Sequence, residues 1–166
     1  RTIHTQMGIF WIATAWLATG LYVGPLLGGR EPKFQAAGVW FLLISLVVIV
    51  AGSFIGEWSA VNRLIADATQ NFWFGHQGYE FLDLGRFWQI YLFIGLLLWV
   101  VLVLRGMWPA WKRPETRSLL YLVIVATVSI GLLFGAGLFY GQNTHITIME
   151  YWRWWVVHLW VEGFFE

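Results

Sequence analysis

The chain has 166 residues, of which 59% are hydrophobic, 19% aromatic and 11% charged, with a formal net charge of +1. Soluble domains carry about 25% charged residues, so this composition excludes a soluble globular domain and fits lipid as solvent. The small charge, with no block of like charges, excludes a nucleic-acid surface, and the absence of cysteine excludes disulfides, thiolate metal sites and iron–sulfur clusters.

A helical membrane span needs about 20 apolar residues, so the chain has room for five, and an all-α integral membrane protein is predicted. The first helix is expected over about 3–28. The chain opens at Arg1-Thr2-Ile3-His4 without a methionine or a signal sequence, and it reads as cut from a longer polypeptide. His4 is an intramembrane imidazole near the helix end. A neutral imidazole is a common axial haem ligand, and an arginine beside it suits haem propionates, although headgroups or a hydrogen bond also satisfy such a histidine. Gly20, Gly24 and Gly28 fall four apart, a spacing that lets helix backbones approach closely.

A second helix is expected over about 34–57, after the Arg30-Glu31-Pro32-Lys33 turn. The long loop over about 58–85 is rich in aromatics and glycine, which predicts a loop folded over the helix ends. His76, Glu80 and Asp83 make it oxygen-rich enough to hold a hard cation such as calcium, or simply leave solvated carboxylates. Helices three and four are expected over about 86–105 and 117–141, joined by a basic loop with Lys112 and Arg113. By the positive-inside rule this loop and the Arg30–Lys33 turn face the cytoplasm, which places His4 near the outer face. His145 reads as a loop residue.

The fifth helix is expected over about 149–166, with His158 about one turn inside its outer end, and reads as unfinished at Glu166, with no stop signal. It carries His158, Glu162 and Glu166, which at 100° per residue project from one stripe. A carboxylate at membrane depth costs about 2.5–3.5 kcal/mol even on a lenient scale, so a metal ion, protonation or a water-lined proton path must compensate unless the helix emerges into solvent. Imidazole and carboxylate one turn apart can ligate one ion, and this donor pair suits iron better than cuprous copper.

Trp154-Trp155-Val156-Val157-His158-Leu159-Trp160-Val161-Glu162-Gly163, followed by Glu166, is similar to the most recognisable helix of the nitric oxide reductase branch of the haem–copper oxidase superfamily. Arg1-Thr2-Ile3-His4-Thr5 resembles the start of that branch's second core helix. The resemblance implies that the chain is part of a bundle of about twelve to fourteen helices in a bacterial or archaeal cytoplasmic membrane. It implies His4 as an axial ligand of a low-spin haem b, Arg1 near the haem propionates, and His158 and Glu162 as ligands of a non-haem iron beside a high-spin haem b3. Glu166 would serve proton supply, and Glu80 would bridge propionates through calcium.

Oxygen-reducing relatives commonly carry tyrosine four residues after the metal-binding histidine, where this chain has Glu162. The wording around Trp73-Phe74-Gly75-His76-Gln77-Gly78 resembles single-chain enzymes that draw electrons from quinol. The implied reaction is reduction of nitric oxide to nitrous oxide and water. The resemblance also implies six histidines for two haems and the iron; four are present, so the rest of the same polypeptide must supply the others. The competing readings are an oxygen-reducing quinol oxidase of the same architecture and a haem-free transporter subunit using Glu162 and Glu166 as a proton-coupled pair.

Overall fold

The computed structural model describes residues 2–79, 82 and 84–164, and these are overwhelmingly helical. In lipid every backbone N–H and C=O must be paired within the protein, and a helix does this within one segment. The long apolar runs accordingly form α1 (Thr2–Gly28), α2 (Gln35–Val61), α4 (Arg86–Met107) and α5 (Arg117–Leu133), with a short α3 (Ala68–Phe74) between the second and third of them. With the 3-10 turns that continue α4 and α5, the four long ones are the helices long and apolar enough to cross a membrane among the described residues. The chain is a multi-pass membrane protein.

The fifth predicted helix runs in three pieces: α6 (Ile146–Trp154), a π-helical stretch (Trp155–Trp160) and α7 (Val161–Phe164). It starts at Ile146, earlier than expected, because His145 caps it. The His145 Nδ1 accepts from the Thr147 N–H at 3.3 Å, a capping role. His158 consequently lies about three turns into the helix instead of one. The expected fourth helix, over about 117–141, changes to 3-10 form at Phe134–Leu138, where Gly135 and Gly137 weaken α-helix propensity. The expected second helix continues beyond 57 to Val61 and carries Glu57, 0% exposed, inside it.

α1 packs most closely on α4. The approach depends on glycine: a Cβ at Gly24 would stand 3.0 Å from the Val103 carbonyl oxygen, and one at Gly28 would collide with the Gly106 carbonyl. Further along the same seam Trp99 covers Gly20, and its indole N–H donates to the Leu17 carbonyl at 2.9 Å. The buried core gathers Leu96, Trp99, Val103, Ile130, Phe134 and Trp160 from α4, α5 and the segments that continue α5 and α6. Outward-facing positions are large and apolar, as at Trp11 (81% exposed), Trp40 and Ile44, a surface suited to lipid or further helices.

The two basic connections lie together at one end of the bundle. Arg105 donates to the Lys33 carbonyl at 2.8 Å and Arg113 to that of Leu27 at 3.5 Å. At the opposite end, which carries His4, the connection between α2 and α4 contains α3, which the sequence did not announce and which packs on both helices. His76 and Gln77 are buried there. Arg86, 5% exposed at the start of α4, donates to the Gly137 carbonyl at 2.8 Å and to that of Tyr140, with its guanidinium facing the Phe72 and Tyr140 rings at 5.3 and 4.7 Å. This buried cation ties the loop, α4 and the end of the α5 segment into one unit.

Candidate metal and haem site

His158 and Glu162 meet as their spacing predicts: the His158 Nδ1 stands 2.8 Å from the Glu162 Oε2. Four residues of α-helix overshoot a full turn by about 40°. His158 sits in the π stretch, where the Val161 N–H reaches back to the Val156 carbonyl five residues earlier. The widened turn shifts that offset, and the imidazole meets the carboxyl across it. Single π turns inside α-helices occur frequently at functional positions.

The pair's direction is set by what lies behind it. Trp160, two residues from each, is 2% exposed; its indole N–H donates to the Ile130 carbonyl at 2.8 Å and its ring packs on Phe134 with centroids 5.1 Å apart. Two residues of helix turn the side chain through about 200°, so burying Trp160 drives His158 and Glu162 to the opposite face. Their side chains are 56% and 50% exposed there. The face is otherwise apolar, with Trp154 and Leu159 beside them and the Trp154 ring 5.7 Å from the imidazole. Trp160 was legible in part, since an indole inside an apolar helix needs a hydrogen-bond acceptor within the protein.

His4 lies in the first turn of α1 and is exposed. An open imidazole at a helix end fits axial ligation of a haem seated outside this segment. Among the described residues no three His, Asp or Glu side chains converge into a metal-holding group. The donor set present, one imidazole nitrogen and one carboxylate oxygen on an open face, therefore fits part of an iron coordination shell and not a whole one. Arg1, expected at the propionates, Glu80 and Asp83, expected in the cation-binding loop, and Glu166, expected in proton supply, lie outside the described residues.

Apolar helices of membrane-spanning length, with a His–Glu pair in a π-distorted segment beside them, define a multi-pass membrane protein that carries an ionisable pair on an otherwise apolar helix face. The chain belongs to the cytochrome c and quinol oxidase polypeptide I family, whose model matches residues 1–166. That family is one of oxidoreductases and generally binds haem and metal. The chain is 25% identical over 169 residues to a nitric oxide reductase subunit of Stutzerimonas stutzeri. The match covers 100% of this chain and 34% of that protein, so the chain spans about a third of its relative's length.

Proposed function

We propose that this chain is part of a quinol-dependent nitric oxide reductase, which converts two NO, two electrons and two protons into N2O and water. The observation that carries the reading is the 2.8 Å His158–Glu162 stack on an otherwise apolar helix face. An ionisable pair turned to lipid would be expensive, so this face is expected to meet other helices of the full protein across a polar or metal-bearing pocket.

In this reading His158 and Glu162 hold a non-haem iron, which supplies Lewis-acid stabilisation of the negative charge that develops on nitric oxide beside a high-spin haem b3. His4 would be a ligand of the low-spin haem b, which would supply electrons, with Arg1 near its propionates. Glu166 supplies protons, and Glu80 joins a calcium bridge. The glutamate four residues after His158, where oxygen-reducing relatives commonly have tyrosine, supports iron and nitric oxide over copper and oxygen. Quinol as donor rests on the likeness of the 73–78 segment to single-chain enzymes.

Glu162→Ala in the full-length protein tests the assignment. NO consumption is expected to disappear while the low-spin haem spectrum persists, and unchanged turnover would reject Glu162 as a ligand.

A further inference from the structure

A partly open cavity of about 80 Å³ lies between α1, α4, the Phe134–Leu138 turn and the 156–161 stretch. Gln6 and Gln89 line it, along with Tyr140 and Arg153. Both amides are only half satisfied. Gln6 Nε2 donates to the Ser53 hydroxyl at 2.6 Å and Gln89 Nε2 to the Tyr140 hydroxyl at 3.4 Å, yet neither Oε1 has a partner among the described residues. Turning either amide over exchanges which atom is satisfied and leaves the other wanting, so the deficit does not depend on how the amides are assigned. Gln6 is 2% exposed, so surrounding solvent does not make up the deficit.

Buried polar atoms are almost always paired, and where protein supplies no partner an ordered water does. A water needs roughly 10–15 Å³ of such space and at least two polar partners, and this cavity exceeds the first requirement several-fold. We propose that the cavity is a water site, in which the Gln6 and Gln89 amide oxygens accept hydrogen bonds from bound water that also reaches the Tyr140 and Arg153 side. The remaining wall, including Ile9, Phe10, Leu92 and Leu96, is apolar. A hard cation requires about six or more oxygen ligands, so the same wall selects water over ions. The inference stands on these two amides and is independent of the reductase reading.

The test is a crystal structure of the full-length protein with and without xenon pressurisation, since a dry apolar cavity takes up xenon. The expected result is water density within about 3.2 Å of both amide oxygens, with no xenon in the wild-type cavity. Gln6→Leu with Gln89→Leu is then expected to empty the site and admit xenon. A xenon peak in the wild-type cavity, or no density at either oxygen, would overturn the proposal.

Discussion

The Trp160 indole N–H donates to the Ile130 carbonyl at 2.8 Å, one turn before α5 tightens into 3-10 form, and this bond fixes the rotation of the helix that carries His158 and Glu162. The indole is held by packing on one side and by a buried acceptor on the other. Rotating the helix would break both.

Trp160→Phe keeps an aromatic ring and removes the donor, so one buried hydrogen bond is lost at a cost of about 0.5–1.5 kcal/mol. Trp160→Ala removes the ring as well and should cost about 3–5 kcal/mol. Thermal unfolding of the full-length protein in detergent checks the order. Equal stability of the phenylalanine variant and wild type would show that the hydrogen bond contributes nothing.

Gly28→Leu places a side chain where the Gly106 backbone already lies. Overpacking of this kind costs about 1–3 kcal/mol and should part α1 from α4. Gly8→Leu, at a position with open space, serves as the control and should leave the melting temperature nearly unchanged.

Arg86→Met retains much of the stem but removes the cation that two carbonyls and two rings share. Hydrogen bonds to charged groups are worth about 1.5–3 kcal/mol each, so the variant should unfold earlier and expose the long loop to limited proteolysis. A loop as protease-resistant as in wild type would contradict the clamp.

His4→Ala in the full-length protein should erase the low-spin haem absorbance while leaving bound non-haem iron in place. An intact low-spin spectrum would remove His4 from the axial position.

The main architecture was legible because lipid leaves so few options. Apolar runs marked the helices to within a few residues, charge placed both basic connections at one end, and the four-residue glycine spacing marked the α1–α4 seam. Helix ends were less legible, since they depend on local caps and packing. His145 starts α6 early, the buried Glu57 does not end α2, and two glycines tighten the end of α5. At the site, the i, i+4 spacing announced the His158–Glu162 contact, but α-helix geometry alone concealed the π turn across which the two groups meet. Nor did the sequence show the cavity behind them, because Gln6 and Gln89 lie far apart in the chain and line one cavity only through the fold.

If an imidazole and a carboxyl that meet across a π turn share an iron, that iron must be countable. Metal and haem quantification on the purified full-length protein therefore bears on the assignment more directly than any other measurement. Non-haem iron is expected in an amount equal to the high-spin haem, and Glu162→Gln is expected to lose it while the haems remain. Copper in that stoichiometry, or iron fully accounted for by haem, would contradict the shared iron.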